Sequence, residues 1–138
     1  MKELRLEATL ENLDDVLAFI DTELEGHDCP MKVQMQLDVA VEELYVNIAH
    51  YSYAPGTGQA VIEIDYNEDS DTVKITFKDS GTPFDPTAKA DPDTTLSASE
   101  RQIGGLGIYM AKKSTDKMEY SYVDNMNILS IYKKLNAK

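Results

Sequence analysis

A two-layer α+β sandwich, with helices on one face of a mostly antiparallel mixed sheet, follows from two features of this sequence. Helix-like and strand-like segments are largely segregated: strand, helix, helix, two strands, a loop, a helix and a terminal hairpin. Residues 31–53 (MKVQMQLDVAVEELYVNIAHYSY) read as one long helix with an apolar stripe, and that stripe needs a sheet to bury it. At 138 residues the chain is expected to form a single domain over 1–138, with a lid-like loop at about 80–104.

Each element has a local cause. Residues 2–10 (KELRLEATL) alternate Leu4, Leu6, Ala8 and Leu10 with polar neighbours, the pattern of a half-buried strand. Asn12 fits the N-cap of a helix over about 13–25, with Leu13, Val16, Leu17, Ile20 and Leu24 as its buried face. Gly26 fits its stop. Cys29-Pro30 opens the central helix, since proline is tolerated in a first turn. There Val33, Leu37, Val41, Leu44, Ile48 and Tyr51 recur at steps of three and four. After the turn residues APGTG, residues 59–66 and 72–78 alternate as strands across the polar connector 67–71. Residues 117–123 and 127–134 form a second strand pair, joined at Asp124-Asn125, a hairpin-type turn.

The composition excludes several functions. Thirteen Lys and Arg against 25 Asp and Glu give a net charge of −12, which repels phosphate backbones and disfavours nucleic-acid binding. Such a surface suits a basic protein partner, or simply solubility. One cysteine, Cys29, rules out an internal disulfide and a Cys-rich zinc site and is expected to be a packing residue. His27 and His50 are not spaced as metal ligands. The charged N-terminus does not read as a signal peptide, and no apolar run nears the roughly 18 residues of a membrane span. A cytoplasmic protein without membrane contact is the expectation.

Three stretches carry chemistry. Glu43 and Asn47 lie four apart on the central helix, one above the other, with His50 three further on. This polar row flanks the apolar stripe and should border a cavity. A carboxylate and a carboxamide there suit a hard divalent cation and an activated hydroxyl or water, whereas Glu42 reads as solvated. Residues 79–104 hold three of the five prolines (Pro83, Pro86, Pro92) and few hydrophobics, which fits a functional lid or a disordered insertion. Gly104-Gly105-Leu106-Gly107 then feeds a helix. Such a bend can hold phosphate on backbone N–H groups, or serve packing alone.

Taken in order, VEELYVNIAHYSY, KDSGTPFDP and IGGLGIYMAKK resemble the GHKL (histidine-kinase-like ATPase) superfamily, which includes the ATP-binding domains of gyrase, histidine kinases and MutL. The resemblance spans roughly residues 4–135. Phe84-Asp85-Pro86 and the His50–Tyr53 tail look most like the bacterial anti-sigma-factor serine kinases. The resemblance implies a Bergerat-type ATP-binding fold with ATP and Mg²⁺ as cofactors. It implies that Asn47 holds Mg²⁺ and that Glu43 is the general base. Asp79 would accept from the adenine amino group, with Gly81 permitting close approach of the base. Gly105, Leu106 and Gly107 would cradle phosphate, with Gly104 as a hinge. Lys89 and Arg101 are either lid cations for the terminal phosphate or solvated loop residues. Two departures stand out: Thr82-Pro83 where a second glycine is common, and lid aspartates Asp85, Asp91 and Asp93, which repel phosphate unless turned outward.

The function so implied is a serine protein kinase that phosphorylates a small STAS-type anti-anti-sigma regulator and sequesters a sigma factor, with a homodimer as the expected assembly. A nucleotide-braced interaction module with little or no transfer is the alternative. An ATP hydrolase is a weaker third.

Overall fold

The computed structural model describes residues 1–88 and 105–136. Five strands form one sheet in the order β1-β2-β3-β5-β4: β1 (Lys2–Glu7), β2 (Gln59–Asn67), β3 (Thr72–Asp79), β4 (Lys117–Val123) and β5 (Met126–Lys134). All four pairings are antiparallel. Three helices, α1 (Leu13–Gly26), α2 (Met31–Asn47) and α3 (Gly105–Ser114), pack with the sheet around one core. The expected helix-on-sheet architecture is therefore the observed one.

Register places the core. Directly opposed residues share a face, so Ala60, Ile62 and Ile64 of β2 align with Asp79, Phe77 and Ile75 of β3, and those with Asn127, Leu129 and Ile131 of β5. The apolar members of these rows are buried against Val16, Ile20 and Leu24 of α1 and Leu37, Val41 and Leu44 of α2. Each such side chain contributes about 1.5–3 kcal/mol on leaving water. Tyr45 is fully buried. Its hydroxyl donates to Thr9 O at 2.7 Å and accepts from Thr9 N at 3.1 Å, pinning the chain that leaves β1 to the central helix. Burial pushes the Cys29 thiol up to about 11, so it stays protonated at neutral pH and acts as the packing residue expected.

Several local expectations need correction. The central helix does not run unbroken to residue 53: α2 ends at Asn47 and continues as a π-helical turn over Ile48–Ser52. The i→i+5 bonding shifts the helical phase, so Tyr51 leaves the apolar stripe and is 43% exposed. Asn12 does not cap α1 through its side chain; its Nδ2 donates back to Glu7 O at 2.8 Å. Gly26 is the last residue of α1 and not the left-handed stop; that conformation falls on Asp28 (φ 55°), and Cys29 N closes the end on Leu24 O at 3.1 Å. Leu10 lies beyond β1 and is 51% exposed. The Asp124-Asn125 turn is as expected, with both residues at positive φ (54° and 63°), the signature of a type I′ hairpin.

Candidate functional site

The antiparallel register sets Asp79, the last residue of β3, beside Asn127 near the start of β5. Both side chains point into the helix-facing layer and are buried, at 4% and 6% exposure. Asp79 Oδ1 accepts from Gly81 N at 2.9 Å and from Asn127 Nδ2 at 3.0 Å. The same amide nitrogen donates to Thr82 O at 3.0 Å, while Asn127 Oδ1 accepts from Phe84 N at 3.1 Å and from the Tyr120 hydroxyl. Burial raises the Tyr120 phenol above its ordinary range, so it remains a donor at neutral pH.

The π-helical turn matters here. It delivers the Ser52 carbonyl to Thr82 N at 2.7 Å. Gly81 lies so close to that carbonyl that a Cβ would meet Ser52 O at 2.1 Å. Tyr53 adds a second tie, its hydroxyl accepting from Ser80 N at 2.7 Å and donating to Gln59 O at 2.6 Å. Residues 80–84 are thus held between the end of the central helix and the sheet.

A small cleft of about 30 Å³, open to solvent on one side, lies between these elements. Asn47 lines it together with Asp79 and Asn127 and apolar walls from Leu44, Phe77 and Leu129. Glu43, one turn before Asn47, is half-buried and rests on α3: a Cβ at Gly107 would stand 2.2 Å from Glu43 Oε2. The carboxylate therefore lies directly on the backbone of the glycine bend.

Of the residues singled out in the sequence, Asn47 and Asp79 meet in one cleft, Gly81 is tied to Asp79 through its N–H, and Glu43, one turn before Asn47, meets Gly107. Gly105 and Leu106 form the first turn of α3, whose amides carry the positive end of the helix dipole. Gly104, Lys89, Arg101, Asp91 and Asp93 lie outside the described residues, as does the lid beyond residue 88. His50 does not border the cleft; it is exposed and packs edge-on to Tyr51 at 5.9 Å, turned away by the π-helical turn. Asp85 is engaged locally, its Oδ1 accepting from Thr87 N at 2.8 Å. Among the described residues no cluster of three or more His, Cys, Asp or Glu could hold a metal, so a cation here would rely on few protein ligands. Proteins commonly hold Mg²⁺ through one or two side chains with several waters retained, and the Asn47 carboxamide oxygen would suit such a role.

Sequence reasoning missed Asn127 and Tyr120. The signal for Asn127 was faint but present: period-two alternation in residues 127–134 puts it on the same face as Leu129 and Ile131, where a polar residue needs a buried partner.

A sheet covered by helices, a buried acid at a strand's end and a helix-borne Glu/Asn pair beside a glycine-containing helix start describe a two-layer α+β domain with a polar cleft. The chain belongs to the Histidine kinase-like ATPase domain family, whose model matches residues 6–133. It is similar to the serine/threonine-protein kinase BtrW of Bordetella bronchiseptica, at 23% identity over 128 residues covering 93% of this chain and 89% of that protein. Its fold is similar to the RsbU and RsbW domains of a Mycobacterium tuberculosis protein (TM-score 0.67, 14% identity), covering 100% of this chain and 34% of that one. The chain thus spans about a third of that longer protein. A chain of the SiaB–SiaC complex of Pseudomonas aeruginosa is also similar (TM-score 0.59, 17% identity, 94% and 88% covered). No helix among the described residues is long and apolar enough to cross a membrane.

Proposed function

We propose that this chain is an ATP- and Mg²⁺-dependent protein serine kinase of the anti-sigma-factor type. It transfers the γ-phosphoryl group of ATP to a serine of a small STAS-type anti-anti-sigma protein and also sequesters a sigma factor. The observation that carries this reading is the Glu43–Asn47 pair, which joins a phosphate-suited glycine bend at one end to a cleft floored by a buried acid at the other.

Placement supports these roles. Asp79, with Oδ1 occupied by Gly81 N and Asn127, offers Oδ2 to the exocyclic amino group of adenine. Guanine presents a carbonyl at that position and would be repelled. The α3 backbone around Gly105, Leu106 and Gly107 binds phosphate oxygens, and the hinge role of Gly104 is carried over from the family resemblance alone. Asn47 holds Mg²⁺, which neutralises phosphate charge when bound. Glu43 takes the proton of the attacking serine hydroxyl as the serine oxygen bonds to the γ-phosphorus and ADP leaves.

The relatives lend support. BtrW carries the name of a serine/threonine kinase, and RsbW and SiaB–SiaC share the fold. A homodimer in the cytoplasm is part of the reading. β1 is an edge strand, and its outer backbone groups suit pairing with a second copy. The test is incubation with γ-labelled ATP, Mg²⁺ and a STAS-type protein, followed by phosphoamino-acid analysis. Phosphoserine on the partner is the expected result. ATP binding without phosphoserine would replace this reading with a nucleotide-braced binding module, and free phosphate without partner would indicate a hydrolase.

A further inference from the structure

Asn127 has no role in the reading above beyond contact with Asp79, yet it is the most heavily bonded side chain of the cleft. Its amide nitrogen has two hydrogens, one given to Asp79 Oδ1 and one to Thr82 O, both at 3.0 Å, with Gly81 O a longer third acceptor at 3.5 Å. Its oxygen has two lone pairs, taken by Phe84 N at 3.1 Å and by the Tyr120 hydroxyl. This pattern also assigns the amide orientation, because the flipped form would set oxygen against Asp79 and Thr82 O. With all four positions filled, Asn127 has nothing left for a ligand. It cannot be a binding residue and must act through what it holds.

It holds two things. It saturates one oxygen of Asp79, together with Gly81 N, and so leaves the carboxylate a single outward face. It also ties Thr82 and Phe84, the first residues of the loop that leaves β3, to the sheet. We propose that Asn127 is a positioning residue that sets purine selection, by fixing Asp79 as a one-oxygen acceptor and clamping the start of the loop over the cleft. This rests on the nucleotide reading given above. Removing the amide frees the carboxylate to rotate, and a rotated or reprotonated acid no longer distinguishes an amino group from a carbonyl at the same position of the base.

The test compares Mg-ATP with Mg-ITP, which carries a carbonyl in place of the adenine amino group, by calorimetry on the full chain and on Asn127→Ser and Asn127→Asp. Wild type should prefer ATP, and Asn127→Ser should narrow the ATP/ITP ratio by about tenfold. In Asn127→Asp a proton can stand in for the amide hydrogen. ATP affinity should then be near wild type in mild acid and fall about tenfold as pH rises, because loss of the bridging proton breaks the hydrogen bond and sets two carboxylates against each other. A merely structural role predicts no such pH profile. A flat profile for Asn127→Asp with an unchanged ratio for Asn127→Ser would overturn the proposal while leaving the nucleotide site intact.

Failure of wild type to bind either nucleotide would instead sink the nucleotide reading, and purine selection with it. Amide hydrogen exchange then judges the clamp without ligand: Asn127→Ser should reduce protection at Phe84 N, whose amide also bonds the Tyr120 hydroxyl, while the β2–β3 ladder keeps it. Wild-type protection at Phe84 would overturn the clamp, and melting curves of both variants report that they fold.

Discussion

Glu43 leans on Gly107: a Cβ built on that glycine would lie 2.2 Å from Oε2 and 3.1 Å from Cδ of the acid. The contact joins α2 to α3 at the point where phosphate chemistry is proposed. The obstructed atom is the far end of a flexible side chain, so Gly107→Ala should fold, with stability changed by no more than about 1 kcal/mol. The displaced acid should slow phosphoryl transfer by about ten- to a hundredfold. A melting curve and a phosphoserine assay on one preparation decide it; wild-type transfer in this variant would detach Glu43 from the reaction.

Glu43→Ala removes the proposed base and leaves the cleft walls in place. ATP binding by calorimetry should stay within a few-fold of wild type, and transfer should fall by about 10²–10⁴. Combined with Gly107→Ala, the losses should not multiply, since both act on one carboxylate. Additive losses would mean that Gly107 serves by another route.

Gly81→Ala is a different case. Its Cβ would meet backbone, Ser52 O at 2.1 Å, and the nearby bond from Thr82 N to Ser52 O would be strained. Neither partner can swing aside, so a loss of about 1–3 kcal/mol is expected in urea unfolding, with weaker ATP binding. Full stability would show that the π-helical turn yields more readily than its contacts suggest.

Asp79→Asn replaces an acceptor by a group that also donates. ATP affinity should drop by about 1–3 kcal/mol, read by calorimetry at constant salt. Unchanged affinity would remove Asp79 from the base-binding role.

The helix layer has its own pH dependence. Asp38 of α2 faces Asp21 of α1, and one oxygen of each is buried without a hydrogen-bond partner. Burial, then the hydrogen bond and charge of Asp21, then Glu25 and Glu42, push the Asp38 carboxyl up to about 7. A folded pKa above the unfolded value of 3.8 means that stability is fully present below about pH 4 and lost as pH rises through 7. Asp38→Asn, which mimics the protonated acid, should flatten the unfolding free energy over this window. A variant as pH-dependent as wild type would place the titration elsewhere.

Much of this could be read from the order of residues, because it depends on short-range periodicity. Alternation marked Ile62, Ile64, Ile75 and Phe77 as one face, and steps of three and four put Glu43 above Asn47 on the flank of a buried stripe. The Asp-Asn turn between the last strands follows from the left-handed tolerance of those residues. The residues of greatest consequence that escaped notice depend on distant neighbours. Asn127 gains its meaning from Asp79, 48 residues earlier, and from a pairing register that no local pattern specifies.

The end of the central helix shows the same division. Its amino acids favour helix through residue 53, and local propensity alone would continue it. What widens the last turn is met only in three dimensions: Thr82 N seeking the Ser52 carbonyl and Gly81 pressing against it. Periodicity along the chain was therefore enough to identify the layers and the Glu43–Asn47 row, while Asp79 and the roles of the glycines came from the family resemblance. The cleft they share was settled by contacts between segments far apart in sequence, because a hydrogen bond across a sheet constrains two residues whose separation leaves no trace in either one's neighbours.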